Sequence, residues 1–177
     1  MDELDQRLAE VEGTVASIAR ELVARCRELT LTVNELERQI TRIVSRLAPT
    51  LMALAGCGGL SAAKIVGETA GVRRFRSKAT FARWNGTAPI PVWSGNDRKF
   101  RLNRGGNRQV NAALHRIAIT QCGGRGPGQA YVQSRIAAGD DKTEALRLLR
   151  RRLSDEVFRR LLIDEMQGDR VACEPAA

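Results

Sequence analysis

From Leu4 to Leu47 the apolar residues recur in steps of four and three: Leu4, Leu8, Val11, Val15, Ile18, Leu22, Cys26, Leu29, Val33, Leu36, Ile40, Ile43 and Leu47. That spacing keeps one stripe on one face of a helix and is the coiled-coil pattern. Between Val15 and Cys26 the steps run three, four, four, an eleven-residue unit that locally relaxes a left-handed supercoil. Pro49 closes the pattern. At about 1.5 Å per residue such a helix extends on the order of 70 Å, more than a compact neighbour can cover. The stripe therefore predicts a partner helix and a homo-oligomer; a helix folded back on its own domain is the alternative. Gly13 and the β-branched residues are expected to weaken the helix without breaking it.

The chain has 177 residues, which leaves room for one core beside this arm. The expected division is an arm over 1–48, a helical domain over 49–165 and a flexible tail over 166–177. Charge follows the same division. The net charge is +9, yet residues 1–48 carry −2, residues 49–135 carry +12 and residues 136–177 carry −1. Only Glu68 and Asp97 oppose fourteen cations in the centre. Such a segment predicts a polyanionic partner, with nucleic acid ahead of a membrane surface. No apolar run approaches the roughly eighteen residues of a membrane span and no leader opens the chain, so a cytoplasmic, nucleoid-associated protein without membrane contact is expected. The four cysteines form no C-x-x-C pair and His115 is the only histidine, which excludes a disulfide framework and a zinc cluster. Reduced, mostly buried thiols are expected.

In the basic centre, residues 51–65 read as a short helix, a Gly56-Cys57-Gly58 hairpin and a second helix capped by Ser61, a helix-hairpin-helix. Amide groups at the second helix's start would meet a phosphate, which makes Gly56, Gly58 and Lys64 candidate DNA contacts; a plain structural turn is the alternative. A further short helix has Ser77 as its cap, Phe81 and Trp84 on its buried side and Gly86 just past its end. Pro89 and Pro91 then force an extended chain. Val92-Trp93, a Ser94-Gly95-Asn96-Asp97 turn and Arg98–Leu102 predict a small β-hairpin. Arg98, Lys99, Arg101, Arg104 and Arg108 follow the turn and are candidate phosphate contacts. Asn107 opens an amphipathic helix that buries Val110, Leu114, Ile117 and Cys122 and ends at Gly123-Gly124. His115 lies one step off that stripe and is expected to be a surface or packing residue.

A helix from about Ala130 to Ala138 and a long helix from Thr143 to about Glu165 complete the domain. The second buries Leu146, Leu149, Leu153, Val157, Leu161 and Leu162. Its arginines, Arg147, Arg150, Arg151, Arg152, Arg159 and Arg160, interleave with acids and read as a solvated face, with phosphate contact the lesser alternative. The fold class is mainly α: a long amino-terminal coiled-coil helix, then a compact helical domain with a helix-hairpin-helix and a small β-hairpin.

Residues Leu51–Gly58, Arg74-Phe75 through Trp84-Asn85-Gly86, Pro89 through Ser94-Gly95, Arg104-Gly105-Gly106-Asn107-Arg108 and the Ala145-Leu146-Arg147 helix together resemble the carboxy-terminal domain of insertion-sequence-110 family transposases, grouped with types 116 and 902. The likeness spans roughly residues 47–165 in order and spacing. It implies that Ser94 holds the position of a serine nucleophile that attacks a DNA phosphodiester and forms a phosphoserine link, with Arg98, Lys99, Arg101 and Arg104 stabilising the developing charge. It also implies DNA as partner and a structured bridge RNA as guide. In such enzymes a RuvC-like domain with Asp and Glu ligands precedes the coiled coil and holds Mg2+. No cofactor is expected on this chain itself, and the chain alone is expected to be inactive without such a half. A non-catalytic dimeric nucleic-acid-binding module, an interfering fragment or a transposase remnant are the alternatives.

Overall fold

The computed structural model describes residues 11–94, 97–101 and 103–173; the side chains of residues 93, 94, 97–100 and 170–173 lie outside that description. The expected Gly95-Asn96 turn and the stripe positions Leu4 and Leu8 fall on residues that are not described. Two compact units divide the chain, residues 1–40 and residues 41–177.

In the first unit, helix α1 begins at Thr14 and continues to Leu47 in the second. It does not pass through Gly13, whose φ of +110° is incompatible with a helix, so the expectation that Gly13 merely weakens the helix is corrected. The stripe is exposed along the described arm, with Ile18, Leu22, Leu29, Val33 and Leu36 open to solvent. Cys26 is exposed as well, while Cys57 is buried and Cys122 lies between, so the thiols are not uniformly buried.

The second unit takes in the last turns of α1, the division falling eight residues before the expected one, after residue 40 rather than 48. Val44 and Ala48 are buried, and Thr41 packs so tightly on Gly59 that a Cβ there would fall 2.0 Å from its Oγ1. The helix stops at Leu47, and Pro49 begins the single-turn α2 (Pro49–Met52), consistent with proline's tolerance at a first helical position. Helix α3 (Gly59–Thr69) has Gly58 at its cap. Ser61 is buried inside the helix rather than capping it; the cap position falls three residues earlier, at Gly58.

A 3-10 turn (Val72–Arg74) leads to α4 (Lys78–Trp84), whose Thr80 amide donates to Ser77 Oγ at 3.3 Å as expected of a cap. Strands β1 (Ile90–Ser94) and β2 (Asp97–Arg101) pair antiparallel with Ser94 opposite Asp97. The ladder thus reaches Ser94 and Asp97, which the sequence reading assigned to the turn. Helix α5 (Arg108–Cys122) is capped by Asn107, which accepts from the Val110 amide at 3.0 Å. Helix α6 (Gly128–Ala137) and the long α7 (Lys142–Cys173) follow. Helix α7 runs past the expected end near Glu165, and Arg73 reaches Glu165 at 3.7 Å and Asp169 in the added turns at 2.6 Å.

Helix α7 is the spine of the unit and packs against α2, α4, α5 and α6, while α3 packs on α5. Ile65, Val110, Leu114, Ile117, Phe81 and Val157 fill the centre. Phe81 stacks with Phe75, Trp84 and Phe158 at ring distances of 5.2–5.6 Å. Asp164 is buried and accepts from the Thr50 and Leu51 amides at 2.9 and 3.1 Å, so a carboxylate on α7 caps α2 across the core.

Candidate nucleic-acid interface

The loop that carries the basic cluster is held by four asparagines. Asn85, fully buried at the end of α4, donates from Nδ2 to Ser154 Oγ on α7 at 2.8 Å and accepts at Oδ1 from the Thr87 amide and hydroxyl. Its own carbonyl receives Asn111 Nδ2 at 2.9 Å. Asn103 Nδ2 donates to the Arg83 carbonyl at 2.7 Å, and Asn107 Nδ2 to Glu68 at 2.7 Å. The Asn107 amide donates to the Trp84 carbonyl, also at 2.7 Å. Two glycines let the loops close: at Gly86, φ is +78°, and a Cβ on Gly106 would lie 2.3 Å from the Gly86 nitrogen.

This framework borders a hollow of about 600 Å³ lined by Arg104, Arg108, His115, Asn103, Asn111 and Arg150, with no carboxylate among its described lining residues. Arg104, Arg108 and His115 are exposed, and Arg150 is half-buried. A second hollow of about 220 Å³ adjoins the hairpin and holds Pro89 and Arg101 with Glu144, Arg147, Arg150 and Arg151 of α7. Partial desolvation, reinforced by the charge of Arg150, lowers the pKa of the His115 imidazole. In the larger hollow, cations facing open space with no acid in the described lining make a surface of positive potential suited to phosphates.

The expected residues are distributed unequally over this surface. Arg104 and Arg108 line the larger hollow and Arg101 the smaller. Ser94, Arg98 and Lys99 lie on the hairpin that leads to it, with their side chains outside the described set. Lys64 lies on α3, and its Nζ donates to Gln109 Oε1 at 2.8 Å. Gly58 is open, with nothing within 4 Å of where a Cβ would sit. Gly56 is tucked against α5: its φ is +80°, and a Cβ would meet the Ile117 carbonyl and Thr120 at 3.1 Å, so packing and backbone conformation account for this glycine.

Sequence reasoning placed Arg150 on a solvated helix face, with phosphate contact only the lesser alternative, and treated His115 as incidental. A signal for Arg150 was present. Arg147 has Glu144 three residues before it and pairs with it at 3.1 Å; Arg151 pairs with Asp155, and Arg160 with Glu156 at 2.6 Å. At three and four residues either side of Arg150 stand Leu146, Arg147, Leu153 and Ser154, none of them acidic. Among the described residues no group of His, Cys, Asp and Glu could hold a metal ion, and no helix is long and apolar enough to cross a membrane.

Residues 48–133 match the family model described as Transposase IS116/IS110/IS902 family. A protein of Streptomyces coelicolor named "Insertion element IS110 uncharacterized 43.6 kDa protein" is 30% identical over 163 residues, covering 86% of this chain and 39% of that protein. The chain therefore spans well under half the length of the relative. Both comparisons support the same family of insertion-element transposases.

Proposed function

We propose that this chain is the DNA-binding domain of an insertion-element transposase and acts in DNA transposition. The observation that carries the reading is the acid-free hollow bounded by Arg104 and Arg108, set within the segment that matches the family. Arg98, Lys99, Arg101 and Lys64, with the open Gly58 turn, extend the proposed contact to the phosphates on either side.

Ser94 is the proposed nucleophile. Its hydroxyl oxygen forms a bond to the phosphorus of a phosphodiester, the bond from phosphorus to one sugar oxygen breaks, and that sugar leaves as a hydroxyl carrying a proton. The phosphoserine link conserves the diester for rejoining. Arg98, Lys99, Arg101 and Arg104 offset the negative charge that builds on phosphorus. Mg2+ and the group that takes the serine proton belong to a RuvC-like domain, and a structured guide RNA selects the sites. A suicide DNA substrate, offered with Mg2+ and a supplied RuvC-like half plus guide RNA, tests this. A covalent protein–DNA band that disappears in Ser94→Ala is expected; binding with no covalent band in any combination refutes the chemistry.

A second reading, a dimeric nucleic-acid-binding module without chemistry, is favoured by the exposed stripe on α1, where Ile18, Leu22, Val33 and Leu36 are each more than half exposed. Sedimentation of the full chain is expected to show a dimer or larger species that Leu22→Glu/Val33→Glu reduces to monomer. A monomeric wild type refutes the arm as an oligomerisation element.

A further inference from the structure

Among the described cations that line the two hollows, Arg150 is the part-buried one that no carboxylate pairs with. Its Nε is buried and makes no hydrogen bond, and its Nη2 donates to Asn111 Oδ1 at 3.0 Å. Among the described residues no carboxylate pairs with it, although its neighbours Arg147 and Arg151 each have one. Leaving a partly buried charge without a counter-charge is costly, as is leaving a buried donor unsatisfied. Burial and the nearby Arg147 charge both hold the guanidinium below its usual range, the direction expected when nothing compensates it.

The side chain is nevertheless held in place. Asn111 is fixed by the Asn85 carbonyl, and Asn85 by Ser154, one turn along α7 from Arg150. Arg150 lines both the larger and the smaller hollow. A guanidinium fixed in orientation, facing space bounded by Arg104, Arg108 and His115, lacks only an anion.

We propose that Arg150 is a phosphate-binding residue, its guanidinium receiving a backbone phosphodiester of a nucleic-acid strand that enters the hollow between Arg104, Arg108 and His115. The inference rests on the DNA-binding reading and deepens it, since it sets the anchoring contact on α7 rather than on the hairpin or the glycine turn. A guanidinium offers two parallel donors to a phosphate, which a lysine does not.

The test uses the full chain, a 20-nucleotide DNA of mixed sequence in single- and double-stranded form, and inorganic phosphate as separate ligands. His115 is the only histidine, so its ring protons report this hollow alone in an NMR titration. On the wild type, DNA is expected to shift the His115 resonances and raise its pKa by at least half a unit, because the phosphate offsets the Arg150 charge. No shift at His115 while DNA binds elsewhere overturns the proposal and needs no variant. In fluorescence anisotropy, Arg150→Gln is expected to weaken DNA binding roughly tenfold and to reduce the slope of log K against log salt by about 0.9, one phosphate contact. Arg150→Lys is expected to recover the slope and only part of the affinity. Arg150→Gln with the wild-type slope and affinity, while Arg104→Gln weakens binding, overturns the proposal and leaves the DNA-binding reading standing. A wild type that binds phosphate at His115 in an Arg150-dependent way but ignores DNA overturns both the strand as ligand and the DNA-binding reading, leaving a free-phosphate site.

Discussion

Replacing Gly106 with alanine tests whether the two loops that frame the hollow must touch. A Cβ there would lie 2.3 Å from Gly86 N, 2.4 Å from Gly86 Cα and 2.8 Å from the Asn85 carbonyl carbon, all backbone atoms that cannot rotate away. Ordinary contact begins near 3.4 Å, so the loops must separate by about 1 Å. Two hydrogen bonds cross that junction, Asn107 N–H to the Trp84 carbonyl and Asn103 Nδ2 to the Arg83 carbonyl, each 2.7 Å. An opening of that size breaks both. At about 1 kcal/mol each, with residual strain, the loss is roughly 2–3 kcal/mol. For a chain of this size each kcal/mol lowers Tm by about 2–4 °C, so a fall of roughly 4–12 °C is expected in thermal unfolding. The same movement carries Arg104 and Arg108 away from Arg150 and weakens DNA binding. Gly105→Ala is the control, because its Cβ would meet only Asn103 Oδ1 at 3.7 Å. A Gly106→Ala protein with the Tm and DNA affinity of Gly105→Ala refutes the reasoning.

Other consequences follow from the same packing. Asp164→Ala removes the acceptor of the Thr50 and Leu51 amides in a buried site and is expected to cost about 2–4 kcal/mol in urea unfolding; a change below 1 kcal/mol contradicts the cross-core cap. Ser154→Ala leaves Asn85 Nδ2 buried without its partner and is expected to cost about 1–3 kcal/mol by the same measurement, whereas Ser77→Ala, at an exposed cap, is expected to cost about 1 kcal/mol. Burial pushes the Cys57 thiol up to about 11, against a smaller opposing effect of Arg160. Only about 0.1% is therefore thiolate at pH 8. Thiol titration at that pH should label exposed Cys26 rapidly and Cys57 only on unfolding; equal rates would contradict the burial.

How much was legible in the sequence depends on the range of the interaction concerned. The arm's helix is written in its four-and-three spacing, the caps Ser77 and Asn107 in single residues before apolar runs, and the buried face of α7 in its leucines, because all three arise within a turn or two of chain. The hairpin was legible for a similar reason, as the prolines exclude helix on one side of a turn.

The failures occur where distant segments meet. Ser61 lies inside a helix whose Gly59 packs on Thr41, and α7 runs past its expected end into turns where Asp169 meets Arg73. The site divides along the same line. Sequence alone determined that the centre is cationic and that Arg104 and Arg108 sit beside a glycine pair. Only the tertiary structure decided that Arg150 joins them, since its lack of an acid neighbour is local but its burial, its grip on Asn111 and the hollow it faces arise from α5 and α7 packing side by side. A charge can be counted along the chain, whereas the solvent and counter-charge it has lost are set by what folds over it.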